Sequence, residues 1–247
     1  MSNGKNRLVD ASILEQIEIL AKSLEDNPDF TNVRKHRAFS GLRKEANRHS
    51  VEIEMPNGGK RKKGRAKGEV LSNLHDAYCF FIRNYKEKLD NRILMDTAEI
   101  IEPKLSPAHY RGLSDPTTRS LGKNSFIYPR DVADQMDAFL DENNAIENAV
   151  ERAVHAHLHI ARIHPFSDGN GRLARVSQNG ILDYSGLPPA VTDKLERKRY
   201  LDLIGVAARS YREKKELATE QKTFYNYLAM KIYSSLTEAS KFCSRNI

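Results

Sequence analysis

The run His164-Pro165-Phe166-Ser167-Asp168-Gly169-Asn170-Gly171-Arg172-Leu173-Ala174-Arg175 brings a base, a carboxylate, two glycines and two arginines within one short stretch. His164 has the side chain whose ordinary pKa lies nearest neutrality, so it can take a proton at physiological pH. A nearby helix dipole would favour its neutral form. Asp168 offers the hard oxygen that Mg²⁺ seeks when it arrives with phosphates. Gly169 and Gly171 let a ligand approach backbone N–H groups, and a helix starting there favours an anion. Arg172 and Arg175 are three residues apart and share a helical face. Two guanidinium forks beside an amide nest suit a polyphosphate. The chemistry indicated is phosphoryl or nucleotidyl transfer. Phe166, between polar neighbours, is expected to point inward and anchor the loop.

The elements that must hold this loop read as helices. In DASILEQIEILAKSLED, Ile13, Ile17, Leu20 and Leu24 form one face, with Asp10 placed to cap it. Asn27-Pro28 ends that helix, and a more polar one is expected from about Phe30 to Arg48. Asn57-Gly58-Gly59 marks a turn, with a small hairpin as one reading. Helix resumes at Gly68, where Val70, Leu74, Ala77, Phe81 and Tyr85 keep an apolar stripe. Residues 103–130 carry four prolines and two glycines, so a loop with a short hairpin is expected. Helical patterns return at DVADQMDAFLDEN and NAIENAVERAVHAHLHIARI, then over GRLARVSQNGILDYSG, LERKRYLDLIGVAARSY and TFYNYLAMKIYSSLTEA. The fold class is all-α with one irregular flap: N-terminal helices and a basic loop over 1–67, then a catalytic core over 68–240.

The segment HPFSDGNGRLAR resembles the Fic signature, HxFx[DE]GNGRxxR, at every specified position. The preceding helix ending in RIHPF, and the later LDYSGLPP and KRYLDLIGVAAR, are also similar to that family. The resemblance implies a protein adenylyltransferase with ATP as substrate and Mg²⁺ as its metal. It implies that His164 takes the proton of a Ser, Thr or Tyr hydroxyl, which attacks the α-phosphate. Asp168 would hold Mg²⁺, and Asn170 would join His164 as a catalytic residue by stabilising charge on that phosphate. Phe166, Gly169, Asn170, Gly171, Arg172 and Arg175 would bind the nucleotide, Arg172 at the leaving pyrophosphate and Arg175 at the γ-phosphate. The target protein would dock on a flap at about 108–130 by strand addition. A homodimer that gates activity is compatible with the family.

Many Fic proteins silence themselves with a glutamate on the motif [ST]xxxE[GN], paired with the second signature arginine. No strict match occurs here. Glu45, followed by Ala46-Asn47 on the helix expected over about 30–48, is the nearest candidate. Glu238, four residues after Ser234, is the alternative.

Composition bounds the other readings. Hydrophobic residues make up 39% and charged residues 30%, and no apolar run reaches the roughly 20 residues a spanning helix needs. Cys79 and Cys243 have no CxxC partner, and the polar N-terminus lacks a signal-peptide core, so the cytoplasm is expected. The net charge of +7 is local to Lys60, Arg61, Lys62, Lys63, Arg65 and Lys67, so nucleic acid is not the expected partner. Three alternatives stay open: a Fic-fold transferase of another phosphate group, removal of AMP instead of its addition, and a nucleic-acid-binding regulator using the basic loop. His155 and His159 share a helical face but lack an evident third zinc ligand. Tyr200 is a candidate for the adenine pocket or for a buried helix position.

Overall fold

The computed structural model describes residues 7–54, 67–103, 109–112, 127–213 and 217–244. Among them there is no strand, and the helices are α1 (Ala11–Glu25), α2 (Asn32–Glu54), α3 (Lys67–Asn84), α4 (Asn91–Ile101), α5 (Val132–Asn144), α6 (Ala149–Ile163), α7 (Asn170–Tyr184), α8 (Arg197–Glu213) and α9 (Thr219–Ser244). No described helix is long and apolar enough to cross a membrane.

Helix α6 is the axis of the fold. From Ala153 to Ile163 all its side chains are buried, because α5, α7, α8 and α9 surround it. A helix covered on every side sits inside the protein. Its polar residues must therefore find internal partners. His157 meets Tyr200 Oη at 2.8 Å through Nε2, and Gln178 through Nδ1. Asn148 caps α6 by accepting from the N–H groups of Val150 and Glu151. Helix α7 packs antiparallel to α6 through a six-residue connection, and α3 crosses its far end closely. A Cβ on Gly180 would lie 2.1 Å from the Phe81 ring, so glycine is required at that crossing.

The N-terminal helices belong to the same core. α1 lies on α9, and α2 runs across α3, α7 and α9. Asp10 does not cap α1 as expected. Its carboxylate instead accepts from Lys222 Nζ at 2.8 Å and Asn226 Nδ2 at 2.6 Å, which ties α1 to α9. The larger departure is the length of α2. It continues past Arg48 to Glu54, although Val51 and Ile53 are β-branched, because both are buried in the core. Packing here outweighs a small local propensity.

Among the described residues the expected flap hairpin is not seen. Tyr110–Gly112 and Ile127–Tyr128 are irregular and lead into a 3₁₀ turn at Pro129–Asp131, while residues 113–126 lie outside the described residues. The turn expected at 57–59 and most of the basic loop also lie outside them.

Candidate active site

The connection between α6 and α7 is held by three devices. His164 ends α6 in the left-handed conformation (φ 56°), with its N–H still bonded to Ile160 O at 3.0 Å. Such a conformation is uncommon outside glycine. Asn170 then spans the loop: Oδ1 accepts from Phe166 N at 2.9 Å and Nδ2 donates to Phe166 O at 2.7 Å. Arg111 is the third device. Its backbone N–H donates to Pro165 O (2.8 Å), Nε to His164 O (2.6 Å) and Nη2 to Ile163 O (3.3 Å). The same Nη2 also reaches Ile127 O, so Arg111 joins both described ends of the flap segment to the loop.

His164 Nδ1 lies 3.4 Å from Ala161 O. A carbonyl can only accept, so Nδ1 carries the proton and Nε2 keeps its lone pair. Burial pushes the imidazole pKa down to about 4; the Arg111 charge adds to the fall, whereas Ala161 O, Glu54 and Asp168 oppose it. At neutral pH His164 is therefore an unprotonated base.

Helix α7 begins at Asn170, with Gly169 as its N-cap at φ 84°. Its first N–H groups lack intrahelical acceptors and face outward as a partial positive charge. Asp168 Oδ1 accepts from Gly169 N at 2.7 Å and meets Arg172 Nη2 at 3.4 Å. Arg172 is buried and pairs with Glu102 Oε1 at 2.5 Å, while its Nε and Nη1 are buried donors without a protein acceptor. An anion is the natural complement of such donors.

Arg175 is held from α2. Its Nη2 meets Glu54 Oε1 at 3.0 Å and Ser50 O at 3.3 Å, its Nε donates to Ser50 Oγ at 2.7 Å, and Nη1 meets Tyr200 Oη at 3.3 Å. Burial works against the Arg175 charge, but Tyr200 and Glu54 outweigh it, so the proton is held more firmly than usual. The Glu54 carboxylate also lies over the first turn of α7: a Cβ on Gly171 would come within 2.7 Å of Glu54 Oε1. A carboxylate thus occupies part of the anion-favouring end of α7.

The sequence profile described as the Fic/DOC family matches residues 83–182. A protein named adenylyltransferase fic-1 from Caenorhabditis briggsae is 40% identical over 76 residues, 31% of this chain and 15% of that relative. The chain thus aligns with only a small part of this curated relative's length. A Fic-domain-containing signaling protein from Bacteroides thetaiotaomicron superposes with a TM-score of 0.76 at 22% identity, covering 94% of this chain and 98% of the other. Fic-1 from C. elegans gives 0.71 at 18% identity, covering 96% of this chain and 73% of the other. The match to the Fic/DOC family thus covers the loop and the helices on either side of it.

Within the Fic loop, His164, Asp168, Gly169, Gly171, Arg172 and Arg175 are gathered at one end of α7. Phe166 is buried and packs on Tyr110, with ring centroids 5.6 Å apart, so it anchors the loop from behind. The Asn170 side chain is used at both ends on Phe166 and shapes the nest, leaving its backbone N–H as the group that faces an anion.

Glu45 does not meet Arg175. It is nearly half exposed on α2 and lies beside His49 (3.5 Å) and Arg48 (3.9 Å). Glu238 is exposed and pairs with Lys241 at 2.7 Å. The carboxylate that meets Arg175 is that of Glu54. Its sequence signal was present: Ser50-Val51-Glu52-Ile53-Glu54 has the Ser-to-Glu spacing, obscured by Met55 where Gly or Asn is usual. Glu102 and Arg111 carried no such signal. Tyr200 is buried between Arg175 and His157, so its hydroxyl serves the arginine.

Glu142 joins His155 and His159 as a third group with metal-ligand chemistry. Asn143 Nδ2 lies 3.1 Å from His155 Nδ1 and Arg162 Nη2 lies 3.2 Å from His159 Nδ1. Both Nδ1 atoms therefore accept, and the proton of each neutral ring sits on Nε2. For His155 that nitrogen faces Glu142 at 3.8 Å. This is the opposite of the outer-shell pattern that presents a lone pair to a metal.

Proposed function

We propose that this chain is an autoinhibited protein adenylyltransferase that moves AMP from ATP to a Ser, Thr or Tyr hydroxyl. The observation that carries this reading is the junction of His164 with α7. A neutral base on a fixed turn stands beside a helix N-terminus and the unpartnered donors of Arg172. The loop match and the names of the relatives support the same chemistry.

In this reading His164 Nε2 takes the hydroxyl proton as the oxygen attacks the α-phosphorus. The bond from that phosphorus to the bridging oxygen breaks, and pyrophosphate leaves. The N–H groups at the start of α7 stabilise charge on the α-phosphate. Arg172 neutralises the leaving group through Nε and Nη1. Asp168, about a quarter exposed, is the residue that would hold Mg²⁺, which would supply charge neutralisation at the phosphates. Target docking is assigned to the segment at about 108–130, which Arg111 tethers beside His164.

Glu54 is the inhibitory glutamate in this proposal. Its carboxylate competes with the γ-phosphate for Arg175 and for the α7 terminus. A charge-assisted pair worth about 1.5–3 kcal/mol makes removal raise transfer by roughly 10- to 100-fold.

Mass spectrometry after incubation with Mg²⁺–ATP tests both parts. Glu54→Gly should gain AMP on itself or on a lysate protein, the wild type and Glu45→Gly little, and His164→Ala none. Phosphate in place of AMP would move the reading to a kinase. Absence of any labelled protein with Glu54→Gly would overturn the assignment.

A further inference from the structure

We infer that Glu102, which follows α4, is a positioning residue for Arg172: it orients the guanidinium toward the phosphates and does not inhibit. This deepens the adenylyltransferase reading and rests on it. Glu102 is buried at the C-cap of α4, where its backbone N–H bonds to Ala98 O at 2.9 Å. Its Oε1 lies 2.5 Å from Arg172 Nη2, with both side chains at most 2% exposed. The same nitrogen takes Asp168 Oδ1 at 3.4 Å.

Two carboxylates thus meet one corner of the guanidinium. The plane is set from that corner, and Nε and Nη1 keep no protein acceptor. An inhibitor would cover the donors that phosphate needs, as Glu54 does at Arg175; Glu102 leaves them clear. Its stem also forms the wall behind the loop. A Cβ on Gly169 would lie 3.1 Å from Glu102 Cγ and 3.2 Å from Ile101 Cγ2. A guanidinium held by one corner is pre-organised, which is what transition-state stabilisation requires.

The test uses the full chain in the Glu54→Gly background, with Glu102→Gln and Glu102→Asp. Mg²⁺–ATP affinity is read by titration calorimetry, transfer by kcat, and folding by thermal melting. Glu102→Gln should weaken Mg²⁺–ATP binding about tenfold and lower kcat about 10²-fold. Glu102→Asp, which keeps the charge, should recover part of both. Unchanged affinity and kcat with only a lower melting temperature would make Glu102 a structural strut and overturn the inference. A rise in transfer would make it a second inhibitor, with the same consequence. If Glu102→Gln does not fold, Glu102→Asp decides alone: lowered affinity and kcat support positioning, and wild-type values overturn it. Glu54→Gly that binds Mg²⁺–ATP but transfers no AMP ends the adenylyltransferase reading, and affinity still decides on Glu102. Failure of Glu54→Gly to bind Mg²⁺–ATP ends both.

Discussion

Arg172 and Arg175 lie one helical turn apart on α7, and each meets a glutamate, but the two pairs differ in every physical respect. Glu102 sits behind the loop, is sealed from solvent, and leaves Arg172 with unused donors. Glu54 comes from α2, keeps 23% of its side chain exposed, and lies across the first turn of α7. One carboxylate supports the arginine and the other covers it. The same two residue types, each within ion-pair distance, can therefore serve or block a site, and burial and approach direction separate the cases.

Removing the arginines should expose this difference most strongly. Arg172→Ala leaves Glu102 buried and uncompensated, a loss of about 3–5 kcal/mol for breaking a buried pair. Arg175→Ala leaves Glu54 able to reach water but also removes the bonds to Ser50 and Tyr200, so a smaller loss of about 1–3 kcal/mol is expected. Denaturant midpoints at constant slope would measure both. Equal losses would mean that the two pairs are alike and that the contrast drawn from burial is wrong. Transfer in the Glu54→Gly background should fall by about 10²- to 10³-fold with Arg172→Ala, in line with loss of a preorganised charge stabiliser.

What was legible in the sequence follows from how far apart the partners lie. The loop from His164 to Arg175 is contiguous, so its chemistry and helix-start geometry could be read directly. The all-α architecture was legible from periodicity, as was the inward Phe166. Glu54 lay in plain sight with Ser50 at the right spacing. However, α2 is expected to end near Arg48, ahead of the turn at Asn57-Gly58-Gly59. The burial of Val51 and Ile53 in the core keeps α2 helical to Glu54. Glu102 and Arg111 are more than fifty residues from the motif in a proline-rich stretch. Their contribution exists only in three dimensions.

The two loop glycines extend the comparison at smaller scale. Gly169→Ala meets two obstacles: a left-handed φ of 84° and the Glu102 and Ile101 side chains at 3.1 and 3.2 Å. A cost of about 2 kcal/mol is expected, with transfer impaired. Gly171→Ala has ordinary helical φ and collides with Glu54 Oε1, the end of a side chain that can turn away. It should cost under about 1 kcal/mol, offset in part by helix propensity. Denaturation of the two variants side by side reads the difference. A larger loss for Gly171→Ala would show that Glu54, and not Glu102, is the rigid wall.

The smallest expected effect concerns pH. The His164 pKa is lowered to about 4, chiefly by burial and then by Arg111, while Glu54 and Asp168 pull it upward. A base must be unprotonated, so activity is lost only as pH falls through that pKa. An ordinary histidine near 6.5 would be about three-quarters protonated at pH 6, whereas one near 4 stays about 99% neutral. Transfer by Glu54→Gly should therefore change by less than about twofold between pH 8 and pH 6, provided Mg²⁺–ATP is saturating. Glu54 is one of the groups raising the pKa, so its removal should move the acid limb lower still. Glu102 is not among those groups, and Glu102→Asp should leave the limb where Glu54→Gly put it. An acid limb at 6 to 7 in the pH–rate profile would place His164 in a wetter setting than the αL turn beneath Arg111 provides.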